Sequence, residues 1–290
     1  MVGISLERNI HMNILVVGLG LIGGSFCKAI KRYTAHSCWG LDNDPDTIRQ
    51  ALNEGVIDAA VGTEQLEKAD LTIVCLHPQA TLDFIRENGE RFSAGNLVMD
   101  TCGVKEVIVA QCAPLLKERG VTFIGAHPMA GREYSGFSYS LTDLFVGASL
   151  ILTPDETVPP AALDTIRQLA VALGFTNIVL TTPLIHDQTI AFTSQLAHVV
   201  SNAYIKSPTL DNESGFSAGS FLDLTRVAKL NEHMWTELFM FNKAPLIHEI
   251  EQIMGHLEEY RQALLTDNAA QLEQLLRDGR ILKEKSLKKP

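Results

Sequence analysis

The sequence predicts an α/β chain, a doubly wound and mainly parallel sheet followed by an all-α C-terminal part. Three observations predict it. Short apolar runs of strand length alternate with helical stretches from Met12 to about Thr182, the pattern of repeated βα units. A glycine-rich turn, Gly18-Leu19-Gly20-Leu21-Ile22-Gly23, directly follows the first run. After Pro183 the strand signal stops and helical periods alone continue.

The strand runs are Asn13 to Val17, Cys38 to Leu41, Leu71 to Leu76, Leu97 to Asp100, Thr122 to Ala126, Ser149 to Leu152 and Asn177 to Leu180. The first run, the turn and the helix behind it form a Rossmann-type phosphate-binding unit. Gly18 permits the tight turn, Gly20 lets the backbone approach a pyrophosphate, and Gly23 lets the helix pack close to the strand. With Leu19, Leu21 and Ile22 between them, these residues place a helix N-terminus against the anion. Asp42 ends the second run, 24 residues beyond Gly18. A carboxylate there accepts hydrogen bonds from an adenosine ribose and repels a 2′-phosphate, which favours NAD over NADP. No Arg or Lys follows to reverse that preference, and Asp44 and Asp46 read as turn and cap residues of a helix starting near Pro45. Later, 153–160 is a loop and 161–173 the helix before the last strand.

Beyond Pro183 the loops fall around Ser207 to Gly219 and at Thr266-Asp267. Leu246, Ile250, Ile253, Leu257, Tyr260 and Leu264 recur at spacings of four and three, one apolar stripe on a long helix. Such a stripe on a helical domain is expected to pack against a second copy of the chain, giving a homodimer. The lysine-rich end, from Lys283 to Lys289, reads as a solvated tail.

A chain of 290 residues is long enough for two cores, divided here into a dinucleotide-binding domain at 12–182 and a helical substrate-binding and dimerisation domain at 183–290. The formal net charge of −10 argues against nucleic acid and against an anionic membrane surface as partners. No stretch approaches the apolar length of a membrane span, and Met1 to His11 reads as a short extension without a signal core. The five cysteines are odd in number and without CxxC, so free thiols in a reducing cytoplasm are expected and a zinc site finds no support.

In a doubly wound sheet the ligand lies beyond the carboxyl ends of the strands. Three segments fall there: Cys75-Leu76-His77-Pro78, whose His77 and Pro78 are assigned to the cofactor side; Asp100-Thr101-Cys102-Gly103-Val104-Lys105; and Gly125-Ala126-His127-Pro128-Met129-Ala130-Gly131-Arg132-Glu133. His127 sits between a strand end and a proline. Its imidazole is suited to removing a proton from a hydroxyl as hydride leaves the same carbon.

These segments, together with His186-Asp187, Ala191-Phe192-Thr193-Ser194-Gln195-Leu196-Ala197-His198, Phe221-Leu222-Asp223-Leu224-Thr225-Arg226-Val227-Ala228 and Trp235, resemble the prephenate/arogenate dehydrogenases of tyrosine biosynthesis over nearly the whole chain. The resemblance implies NAD-dependent oxidative decarboxylation of a cyclohexadienol bearing a ring carboxylate and a three-carbon side chain. His127 matches the catalytic His. Arg226 matches the substrate-binding Arg, whose planar fork suits a carboxylate. Ser194 and His198 match pocket residues on one helix face, Glu133 a position near the substrate, and Trp235 either pocket wall or dimer packing. Whether the side chain is the keto form, prephenate, or the amino form, arogenate, stays open, as does which carboxylate meets Arg226. The chain departs from the family at three positions. Many members carry Ser where Gly103 stands, a hydroxyl bonding the catalytic His, so Thr101, a water or the backbone has to substitute. Gln195 and Ala197 replace a His and a Pro, so substrate orientation from that helix is expected to differ. The nearest rival, a 3-hydroxyacid dehydrogenase, needs a helix Lys that is missing between Gly125 and Tyr204.

Overall fold

The computed structural model describes residues 11–132 and 134–287; most of the expected N-terminal extension and Glu133 lie outside them. In chain order the strands are β1 (Asn13–Val17), β2 (Ser37–Leu41), β3 (Ala59–Ala60), β4 (Leu71–Val74), β5 (Leu97–Asp100), β6 (Thr122–Pro128), β7 (Ser149–Thr153) and β8 (Asn177–Leu180). They form one sheet in the order β3-β2-β1-β4-β5-β6-β7-β8. All neighbours run parallel except β6 and β7, which pair antiparallel with His127 opposite Ile151. The reversal of strand order falls between β1 and β4, the switch point where a doubly wound sheet opens a crevice at its carboxyl edge.

The helices of this part are α1 (Leu21–Tyr33), α2 (Pro45–Asn53), α3 (Pro78–Asn88), α4 (Glu106–Lys117) and α5 (Pro160–Ala172). Alternation along β1 sends Ile14 and Val16 into one apolar layer, with Phe26 and Ile30 of α1, and Leu15 and Val17 into the other, with Ile108 and Leu116 of α4. Both faces of the sheet are therefore covered, as parallel strands require. Local capping fixes the helix starts. Asp44 accepts the Asp46 amide ahead of Pro45, as expected for an Asp-capped helix with proline in its first position.

Three expectations need correction in the sheet. The edge strand β3 was invisible as a run because only two residues pair, at Trp39↔Ala59 and Gly40↔Ala60. The fifth run extends past Ala126 to Pro128, since β7 continues to pair with it, so His127 belongs to a strand rather than to a loop. Conversely β4 stops at Val74, and Cys75 and Leu76 turn toward the glycine-rich loop.

The remaining helices are α6 (Pro183–Ile190), α7 (Leu196–Tyr204), α8 (Gly219–Thr225), α9 (Glu232–Phe241), α10 (Lys243–Leu265) and α11 (Ala269–Ser286). Thr182 caps α6 by accepting the Ile185 amide, with Pro183 at the first helical position. One π turn, Ala191–Gln195, joins α6 to α7, so the two form a single interrupted helix. The lysine-rich end is solvent-exposed as far as it is described, with Lys283 and Lys285 in the last turn of α11, where cations favour the helix dipole. No helix among the described residues is long and apolar enough to cross a membrane.

Candidate functional site

The glycine-rich turn is shaped by close backbone approach. Gly18 has φ +83°, and a Cβ there would stand 2.7 Å from the Cys75 carbonyl oxygen. A Cβ on Gly23 would meet the Gly18 oxygen at 1.8 Å, which is the tight helix-to-turn packing its place in the motif requires. Gly20 is different: nothing lies within 4 Å of its Cβ position. It is the N-cap of α1 and no side chain caps that end, so the turn presents amides to open space. Asp42 lies against it, one carboxylate oxygen accepting the Leu19 amide at 2.6 Å and the other the Asp44 amide at 2.9 Å. The acid is thereby oriented at the mouth of the turn. His77 is the exposed N-cap of α3 and Pro78 its first residue, at the carboxyl end of β4. The next amide, Gln79, donates to Glu237 of α9 at 2.6 Å, so a helical-part carboxylate caps α3.

The loop after β5 is held by a buried ion pair between Asp100 and Lys105. Asp100 also accepts the Cys102 amide at 2.9 Å and the Ala126 amide at 3.1 Å. A buried charge pair is tolerated when its remaining lone pairs are filled in this way. Gly125 makes room for it: a Cβ there would stand 3.2 Å from Lys105 Cδ and closer still to Thr153 and Val109. This pinned loop sets Gly103 beside His127, its Cβ position being 3.9 Å from His127 Nε2.

His127 Nδ1 lies 2.9 Å from Nε2 of His186 on α6, and His186 Nδ1 lies 2.7 Å from Asp187 Oδ1. Asp187 in turn accepts the backbone amides of Lys105 at 2.7 Å and Glu106 at 2.8 Å, at the start of α4. Burial, then the facing His186 and the Lys105 ammonium, hold the His127 imidazole well below its ordinary value. Neutral imidazole is the form that accepts a proton. Thr101 does not take the place of the missing serine. Its hydroxyl donates to the Val74 carbonyl at 3.4 Å, at the end of β4.

The second group sits farther along the same helix. Ser194 lies in the π turn, and its carbonyl accepts from His198 Nδ1 at 2.9 Å. The His198 ring stacks on Trp235 at 3.7 Å between centroids, so Trp235 is wall to this cleft. Burial lowers the His198 pKa, with the Ser194 carbonyl opposing and Arg226 adding to it. Arg226, at the start of the 3-10 turn Arg226–Ala228, is therefore in electrostatic reach of His198. A cleft of about 300 Å³ opens here between α7 and α9, lined by His198, Asn202, Lys206, Trp235 and Phe239. Gln195, expected to alter substrate orientation, is buried and faces the other way. It accepts from Asn242 Nδ2 at 2.8 Å and donates to the Leu238 carbonyl at 3.3 Å, while Asn242 also holds the Asp187 carbonyl at 2.8 Å.

Residues 26–179 match the family model for the nucleotide-binding domain of prephenate dehydrogenase, and residues 182–278 that for its dimerization domain. The chain belongs to the prephenate dehydrogenase family. The family comprises NAD-dependent oxidoreductases. A prephenate dehydrogenase of Lactococcus lactis is 28% identical over 282 residues, covering 93% of this chain and 76% of that protein. Among solved structures, prephenate dehydrogenase from A. aeolicus in complex with hydroxyphenyl propionate and NAD+ superposes with a TM-score of 0.86 at 27% identity, covering 96% of this chain and 99% of that one. Synechocystis arogenate dehydrogenase gives 0.82 at 28%, covering 95% and 100%. Sequence reading reached His127, Ser194, His198 and Arg226 but assigned no role to His186 or Asp187, which it noted only as part of the family resemblance.

Proposed function

We propose that this protein is a prephenate dehydrogenase, oxidising and decarboxylating prephenate to 4-hydroxyphenylpyruvate with NAD, and that it works in the cytoplasm as a homodimer through its C-terminal helices. The observation that carries the chemistry is Nε2 of His127, which has no hydrogen-bond partner among the described residues and faces Gly103 at the carboxyl edge of the sheet while Nδ1 is held by His186. The dinucleotide fits the open, uncapped turn at Gly18, Gly20 and Gly23, with Asp42 on its ribose and His77 and Pro78 beside it. When bound, NAD supplies the hydride acceptor. His127 Nε2 takes the proton of the ring hydroxyl as carbonyl character develops, and gives it back to the same oxygen when the ring carboxylate leaves as carbon dioxide and its electron pair aromatises the ring, which makes the step downhill. Arg226 holds a substrate carboxylate at the other end of the site, with Ser194 and His198 lining the space between and Glu133 assigned to the substrate by the family resemblance. The division at 182/183 then separates cofactor binding from substrate binding and dimerisation. The free state of all five cysteines supports a reducing compartment.

The test is NADH formation by the purified protein with prephenate and, separately, arogenate, each also tried with NADP. Turnover with prephenate and NAD is expected, and His127→Asn should lower kcat by roughly 10²- to 10⁴-fold while dinucleotide binding persists. Turnover with arogenate alone would move the assignment to arogenate dehydrogenase. Unchanged turnover in His127→Asn would remove this residue from the mechanism.

A further inference from the structure

His186 and Asp187 belong to the helical part of the chain, yet their side chains end at the catalytic edge of the sheet. We infer that they are positioning residues that fix the tautomer of His127, so that the helical part supplies the orientation of a base carried by the nucleotide-binding part. The proposal rests on His127 acting as the base. The reasoning follows from donors and acceptors. Asp187 accepts two backbone amides, from Lys105 and Glu106, and as a carboxylate it can only accept. The proton in its 2.7 Å contact with His186 Nδ1 therefore sits on that nitrogen. In a neutral imidazole the other nitrogen is then an acceptor, so the 2.9 Å contact between His186 Nε2 and His127 Nδ1 carries the His127 proton. His127 is left with a hydrogen on Nδ1 and a bare lone pair on Nε2, aimed toward the Gly103 side. When Nε2 accepts the substrate proton, the charge on the His127 ring is held by the His186 lone pair and, through His186, by the Asp187 carboxylate. No proton has to leave His127 for this to act, and none is consumed.

The two groups that also face this chain do not upset it. Lys105 is committed to Asp100, and the Glu106 contact is through its amide rather than its carboxylate. The seating of Asp187 on the first amides of α4, reinforced by Asn242 on its carbonyl, explains why a helix 59 residues away in sequence can hold the base so closely.

Long-range proton–nitrogen NMR of the histidine-¹⁵N-labelled full chain, with His127 assigned from the His127→Asn spectrum, reads the tautomer directly. A hydrogen on Nδ1 with a bare Nε2 is expected, and a hydrogen on Nε2 would overturn the proposal. In kinetics, His186→Leu should lower kcat by about 10²-fold with the NAD Michaelis constant unchanged, and His186→Gln, whose carbonyl can accept from Nδ1, should recover to within about tenfold of the parent. Equal losses in both variants would reduce His186 to packing. A His127→Asn protein that keeps its turnover removes the base and the positioning role together. A rate that depends on His127 while Leu and Gln behave alike overturns the positioning role alone.

Discussion

At position 127 three influences act on one imidazole with the same sign. Burial, His186 and Lys105 all disfavour the protonated ring and hold its pKa below the ordinary 6.5. The consequence for turnover has a definite direction. With the neutral ring as the proposed base, kcat/KM should stay level as pH falls through 6.5 and decline only at more acidic values. For stability the sign is the same: the unfolded chain takes up this proton at about 6.5 and the folded one does not. This contribution to stability is therefore present above 6.5 and is lost as pH falls toward the folded value. A rate profile between pH 8 and 5 checks the first statement, and a half-maximum at or above 6.5 would contradict it. Legibility at this scale followed sequence distance. The glycine turn and Asp42 were readable because their spacing is local. The His127–His186 contact spans 59 residues and leaves no spacing signature. Thr101 was misplaced for a related reason, since its hydroxyl is claimed by a carbonyl 27 residues earlier.

Among the elements, the unit β1–turn–α1 separates two roles for glycine that a motif alone merges. Gly20 adopts φ −69° and ψ −155° with nothing near its Cβ position, so Gly20→Ala should change stability by less than about 1 kcal/mol. At the proposed NAD site the added methyl would stand in the path of the pyrophosphate, and NAD affinity is expected to fall by about tenfold. Gly23→Ala must instead push α1 off the Gly18 carbonyl, an overpacking worth roughly 1–3 kcal/mol or more, so its melting temperature should drop by at least about 2 °C. Thermal melts and titration calorimetry separate the two; equal melting temperatures would refute the packing account of Gly23. Short apolar runs bounded by turns make the parallel strands readable from the sequence. The two-residue β3 offers no such run. The π turn at Ala191–Gln195 keeps helical periodicity on both sides, so no break in the sequence pattern marks it.

The molecule taken whole carries an apolar surface that its own fold does not cover. On α10 the predicted stripe is buried at Leu246, but Leu257 and Leu264 are 61% and 62% exposed, and Leu276 and Leu282 on α11 remain exposed at 59% and 65%. Covering each such leucine is worth about 1.5–3 kcal/mol, and these residues lie mostly within the segment that matches a dimerization domain. A second copy offers the same apolar surface in return, which is how two-fold interfaces are built. The stripe was legible in the sequence as a period, and the expectation that a second copy covers it came from the frequency of two-fold oligomers, because a period by itself records which face is apolar and not what lies against it. Light scattering on the purified chain should therefore give twice the mass of one chain. Leu257→Arg places a charge where a leucine would be desolvated, at a cost of several kcal/mol, and should shift the distribution toward single chains without changing the sheet, which α10 does not join. If the variant keeps the doubled mass, the face around Leu257 is not the interface, and a parent that runs as a single chain would leave these helices without the role argued for them.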